Sequence, residues 1–137
     1  MKTLKILFTA IVAVCLASCI KFKVEATVDV TVVKNGQIQP NVEVYRFNDG
    51  LGESTTMYKS NSKDMVVTNE KGVAHFELRS PDDLDPSDVG LTETKTFYFA
   101  TYDKNEDRNG LVSIAVTSGD KKQVKLEIQD PANPSDD

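Results

Sequence analysis

An all-β, antiparallel two-sheet sandwich of about seven or eight strands is the fold class this sequence predicts, on three observations. Apolar residues recur with period two in a series of short runs. Gly, Asn, Asp and Pro punctuate those runs at regular spacing, and no window of a dozen residues carries a convincing helical repeat. The 137 residues suit one domain, and apolar and charged contents of 39% and 27% are those of an ordinary folded soluble protein. With 21 acidic against 16 basic residues the net charge is -5, which disfavours contact with a phosphate backbone and sets nucleic acid aside as a partner. A single histidine, His75, and no tryptophan leave little material for most catalytic centres.

The first segment does not belong to the sandwich. Residues 1–19, MKTLKILFTAIVAVCLASC, place Lys2 and Lys5 ahead of an apolar stretch from Ile6 to Leu16. These are the n-region and h-region of a secretory signal, too short for a membrane span of roughly 20 residues. The end of the segment, Leu16-Ala17-Ser18-Cys19, resembles the lipobox of bacterial lipoproteins: a branched residue, two small ones, then cysteine. The resemblance implies that the Cys19 sulfur takes a diacylglyceryl group. Residues 1–18 are then removed as a signal peptide, and the new amino terminus of Cys19 is acylated. Cys15 would leave with the signal. The residues alone also allow an ordinary signal peptide with Cys19 near the cut by chance, or a buried core helix. Two cysteines with no third and no nearby histidine do not complete a tetrahedral zinc site, and a Cys15–Cys19 disulfide is not favoured.

On the lipoprotein reading several acyl chains, at about 0.8 kcal/mol per buried CH₂, hold the protein to a membrane essentially permanently. Loss of Lys2 and Lys5 takes the net charge from -5 to about -7. Ile20 rather than Asp follows the cysteine, which by analogy favours the outer membrane of the bacterial cell envelope. Ile20-Lys21-Phe22-Lys23 lacks the acidic cluster that some envelope lineages use for surface export, so a periplasm-facing protein is expected. Residues 19–21 form a short tether, 22–129 the sandwich and 130–137, Asp130-Pro-Ala-Asn-Pro-Ser-Asp-Asp, a disordered tail.

After Cys19 the period becomes two. Phe22, Val24, Ala26, Val28, Val30 and Val32 share one face of a long first strand, with Lys23, Glu25, Thr27, Asp29 and Thr31 on the other. Lys34-Asn35-Gly36-Gln37 is a turn, because Asn and Gly accept positive φ at little cost. Val42, Val44 and Phe47 continue a second strand after Pro40, closed by Asn48 to Gly52. Weaker strands are expected at 55–59 and 64–68. Asn69-Glu70-Lys71-Gly72 turns tightly into 73–79, where Ala74, Phe76 and Leu78 alternate with His75, Glu77 and Arg79. A strand over 95–102 follows, then one over 111–117 with Val112, Ile114 and Val116 on one face. A last strand carries Val124, Leu126 and Ile128. About 119 residues suit one such sandwich without a disulfide.

Two stretches together resemble prealbumin-like modules, including the carboxypeptidase regulatory-like domains, and so sharpen the expectation to an immunoglobulin-like or prealbumin-like sandwich. "VTVVKNGQIQPNVEVYRF" (30–47) is similar to their opening strand pair, and "MVVTNEKGVAHFEL" (65–78) to their second signature. Family members close that signature with a compact Gly-Tyr turn, whereas residues 81–93 here make a long acidic insertion. The resemblance implies a non-catalytic accessory, adhesive or assembly module.

Two segments are candidate sites. Asp103, Asn105, Asp107 and Asn109 alternate as oxygen ligands do in calcium loops, but Arg108 and Ile114 stand where an EF-hand requires Gly and Glu. The preferred alternative is a hairpin turn rich in residues that tolerate turn dihedrals. The 81–93 loop, with Asp82, Asp83, Leu84, Asp85 and Asp88, has the length of functional loops; a solvated crossover is the plainer account. His75 falls on a polar face with no second histidine for a triad or zinc site. If eight strands simply alternate, the 81–93 loop lies at the end far from residue 22 and faces the partner. The leading expectation is thus a non-enzymatic, membrane-anchored lipoprotein without a cofactor, calcium aside, that binds a protein or glycan. A subunit of a surface or pilus-like assembly, self-associating through an edge strand, is the second. An inhibitor or immunity protein of an envelope hydrolase is the third.

Overall fold

The structure is a computed structural model and describes residues 23–48, 57–80, 82–84 and 94–130. The signal segment 1–18, Cys19 and its tether, Phe22, Asp85, Asp88 and residues 131–137 lie outside them. The strands are β1 (Val24–Lys34), β2 (Gln37–Ile38), β3 (Glu43–Phe47), β4 (Asp64–Val67), β5 (Val73–Arg79), β6 (Thr94–Tyr102), β7 (Arg108–Thr117) and β8 (Lys121–Glu127). They form two four-stranded sheets, an all-β sandwich. In the first sheet β1 is central. β5 and β2 pair with it antiparallel along one side, and β8 pairs with it parallel on the other. The second sheet runs β4-β3-β6-β7, antiparallel throughout. The one parallel pair departs from the expected pattern, because β8 turns back from β7 but joins the opposite sheet.

The period-two patterns decide which faces meet. Ala26, Val28, Val30, Val32, Ala74, Phe76, Leu78 and Leu126 pack from the first sheet against Val44, Phe97, Phe99 and Val116 from the second. The Phe76 and Phe99 rings lie 4.9 Å apart, tilted. Val112, Ile114, Val124 and Ile128 complete the core's margin. Val24 was expected to face inward but is 38% exposed, because a bulge between Val24 and Ala26 breaks the alternation at the start of β1.

The second sheet is apolar on both faces. Tyr45, Phe47, Tyr98, Ala100 and Tyr102 lie on its outer side, where Met57 covers them. Phe47 therefore belongs to this second cluster, and Arg46 takes the inward place. The strand expected at 55–59 is not formed in its described part. Residues 57–58 lead into a single 3₁₀ turn, Lys59–Asn61, closed by Asn61 N–H to Tyr58 O (2.9 Å) and Ser62 N–H to Lys59 O (3.2 Å). Polar turn chemistry in Ser60-Asn61-Ser62 outweighs the strand propensity of the residues before it.

That missing strand reverses every later direction. β5 runs down toward the start of β1, and Ser80 N–H donates to Lys23 O at 2.9 Å. The loop that follows Ser80 therefore begins beside the N-terminal end of the sandwich, not at the far end as strand parity suggested. The 118–120 turn lies there too, with Gly119 N–H on Glu25 O (2.6 Å).

The opposite margins are closed tightly. Ile128 N–H donates to Val33 O (2.8 Å) and Gln129 N–H to Asn109 O (2.7 Å), so β8's exit ties both sheets. A Cβ at Gly110 would stand 2.5 Å from Thr101 Oγ1 and 2.6 Å from Leu126 Cδ2. Gly110→Ala should therefore destabilise the fold by about 1–3 kcal/mol through overpacking, read as a lowered urea midpoint.

Candidate functional site

Three turns gather at the end opposite residue 23, and side chains pin each of them. Asn35 (φ 52°) and Gly36 (φ 78°) turn β1 into β2. Thr68, only 2% exposed, holds the following link: its hydroxyl donates to Gln39 O (2.6 Å) and accepts from Val42 N–H (2.9 Å). At 69–72, Asn69 Oδ1 accepts from the amides of Lys71 (2.9 Å) and Val73 (3.1 Å). Gly72 there has φ 74° and lies against Ile38, where a Cβ would come within 2.9 Å; the left-handed conformation expected of it is present.

The third turn is the calcium candidate. Asp103 Oδ1 accepts from the amides of Asn105 (2.8 Å) and Asp107 (3.0 Å), and Asp103 N–H donates to Asp107 O (2.8 Å). Asn109 Oδ1 accepts from the Thr101 hydroxyl at 2.7 Å. Asp103 and Asn109 thus give oxygens to the hairpin itself, and among the described residues no group of three His, Cys, Asp or Glu is placed to hold a metal. Asn69 was legible as the opening of a turn, whereas the part Thr68 plays was not, because its partner Gln39 lies 29 residues away in sequence.

The described loop candidates, Asp82, Asp83 and Leu84, lie at the other end and divide. Asp82 is exposed, while Leu84 is fully buried in the core and presents nothing to a partner. Asp83 Oδ2 accepts the Arg79 amide (2.9 Å), and Asp83 Oδ1 meets Arg46 Nη1 at 3.1 Å with both side chains largely buried. Asp83 and Leu84 are therefore parts of the fold, not a free loop. His75 faces out from the first sheet, its Nδ1 2.5 Å from Asp29 Oδ1, on the polar face expected of it.

The outer face of the second sheet is the feature that alternation did not reveal. The Tyr102 hydroxyl donates to Met57 O (2.6 Å) and fixes the 57–61 turn on the sheet. Lys59 Nζ stands 5.6 and 5.8 Å from the centroids of Tyr45 and Tyr102, whose rings meet edge-on at 5.5 Å. Tyr45 donates its phenol proton to the Glu43 carboxylate, and this bond, then burial, pushes its pKa up from 10.0 to about 12. Burial also raises that of Tyr102. A phenol that is neutral in the folded state and titrates late adds stability present below its unfolded pKa of 10.0 and lost as pH rises to about 12. Absorbance titration near 295 nm should show this late phenolate, and Glu43→Ala should bring it back toward 10.

No protein-family model and no curated protein matches the chain.

Proposed function

We propose that this chain is a non-enzymatic envelope lipoprotein. Acylated Cys19 holds it to a membrane, favoured to be the outer membrane and facing the periplasm, and its sandwich offers the pinned turns to a protein or glycan partner. Leu16-Ala17-Ser18-Cys19 at the end of a secretory signal supports the anchor. The prealbumin-like stretches suit an adhesive or accessory module.

One observation carries the reading: β1 separates the residue 23 end from the turns at 35–36, 69–72 and 103–107 by its full length. A strand of that length spans about 35 Å. Anchoring before residue 23 would hold those turns away from the bilayer, and their side-chain caps pre-set the conformation a partner meets. Cys19→Ser should abolish palmitate incorporation and release the protein from the membrane fraction. Capture of a partner from envelope extracts should fall about tenfold in a Lys71→Glu/Lys104→Glu variant and persist in Lys121→Glu, which lies at the anchor end. Equal loss in both would count against a distal binding surface.

The second reading, self-association through an edge strand, draws support from β4. It is the edge of its sheet, and Met65 (42%) and Val67 (47%) are exposed on it. Sedimentation equilibrium of a version lacking Cys19 should then show oligomers that grow with concentration and are lost in Val67→Lys.

A further inference from the structure

Two elements that are fixed independently bring four side chains around an open cleft of about 470 Å³ on the outer side of the second sheet. Tyr58, Lys59 and Ser60 come from the turn laid over the sheet, and Glu106 from the tip of the 103–107 hairpin. Tyr58 is 61% exposed, a large aromatic face turned to water, and Ser60 and Glu106 are exposed beside it.

The backbone that carries each group, and the Lys59 ammonium, are held before any ligand arrives. The Tyr102 hydroxyl on Met57 O and the burial of Met57 (7% exposed) seat the turn. The Tyr45 and Tyr102 rings hold the Lys59 ammonium, and Ser62 Oγ closes the turn on Lys59 O at 2.8 Å. On the hairpin side the Asp103 carboxylate caps the loop, and Glu106 N–H donates to Asp103 O at 3.0 Å with Glu106 at φ 63°. The geometry costs little to organise on binding, because the two elements are already ordered.

The chemistry of the four groups selects a ligand class. An aliphatic ligand needs enclosing apolar walls, and the described residues lining this cleft give it one aromatic face and no aliphatic side chain. A phosphate ligand would meet the Glu106 carboxylate in a chain of net charge -5. A pyranose ring fits on both counts. Its C–H face stacks on tyrosine, and its hydroxyls donate to Glu106, accept from Lys59 and do either with Ser60. We propose that this cleft is a saccharide-binding subsite for a neutral sugar ring stacked on Tyr58. The proposal rests on the binding-module reading above and gives that reading a ligand class and a place, beside the hairpin of the distal end.

The test uses the full chain in a detergent without a sugar head group, titrated with chitotriose, maltotriose and cellotriose and followed by amide NMR. At least one should bind with Kd on the order of 1 mM, shifting the amides of residues 58–60 and 104–106. Tyr58→Ala and Glu106→Gln, both at exposed positions, should each weaken that binding about tenfold with the remaining spectrum unchanged. Binding that survives both substitutions overturns the site, as does the absence of any shift from all three sugars. In that last case, undiminished protein capture by Tyr58→Ala would leave the binding-module reading standing. Saccharide binding without protein capture supports the subsite and removes only the protein partner.

Discussion

Asp83→Ala should destabilise the protein by about 3–5 kcal/mol, because it strands the buried guanidinium of Arg46 without its counter-charge. Arg46 is 4% exposed on the inward side of β3, and its Nη1 lies 3.1 Å from Asp83 Oδ1. Asn48 Oδ1 accepts a second bond from the guanidinium, the Phe97 ring lies 5.9 Å below it, and Nε has no hydrogen-bond partner among the described residues. A charge so enclosed depends on the Asp83 carboxylate, its ion-pair partner among the described residues. Arg46→Met should cost less than Asp83→Ala, because the carboxylate it leaves behind is 14% exposed and keeps the Arg79 amide at 2.9 Å, while methionine fills the guanidinium's space with no charge of its own. With Arg46→Met in place, removal of Asp83 should cost far less than it does in the wild-type background. Chemical denaturation of the four proteins gives the coupling directly. A loss below about 1 kcal/mol in Asp83→Ala alone would mean that the pair is solvated, like an ordinary surface salt bridge.

Leu84→Ala should cost about 2–5 kcal/mol, the usual range for opening a cavity under a fully buried leucine. Leu84 has no exposed surface and belongs to the same core cluster as Phe76, Leu78 and Phe97. Its backbone is drawn in with it, the amides of Asp83 and Leu84 both reaching Arg79 O at 2.9 and 3.4 Å. Asp82, exposed one residue before Asp83, is the control, and its replacement by alanine should change stability by less than about 0.5 kcal/mol. Together these substitutions separate a loop that begins as part of the sandwich from one that hangs free of it.

Much of the sandwich was legible because its core strands alternate cleanly. Ala74, Phe76 and Leu78 of β5 and Val124 and Leu126 of β8 face the core as their spacing predicts, and the 35–36 and 69–72 turns carry the positive φ that Asn and Gly allow. Three things were not legible, each for a physical reason. A run such as Phe97-Tyr98-Phe99-Ala100 is apolar at every position, so period two cannot announce that both faces of its sheet are covered. Residues 57–59 have strand-like composition, yet their hydrogen bonds go to a local turn and to Tyr102, a partner 45 residues away. Because strand direction is a matter of counting, that one false strand sent the start of the loop after Ser80 to the wrong end. Arg46 was hidden differently: it occupies an inward place in the Val42, Val44 series, and only its distant partner Asp83 makes that tolerable. Of the candidate site, the hairpin at 103–107 was visible as a turn. Thr68 and the Tyr58–Glu106 cleft were not, since each joins segments far apart in the chain.

The placement of anchor and distal turns at opposite ends is tested most directly by height above a bilayer. On the proposed lipoprotein reading Cys15 leaves with the signal and Cys19 is acylated, so a cysteine introduced by Lys121→Cys or Lys104→Cys would be the only free thiol and would take a fluorescent label. In vesicles carrying an acceptor on the lipid head groups, the label at 121 should transfer energy strongly. The label at 104 should lie more than about 20 Å farther out, the rise along β1 from Thr27, the partner of Lys121, to Lys34, and transfer weakly. Equal transfer from the two positions, or stronger transfer from 104, would contradict the arrangement.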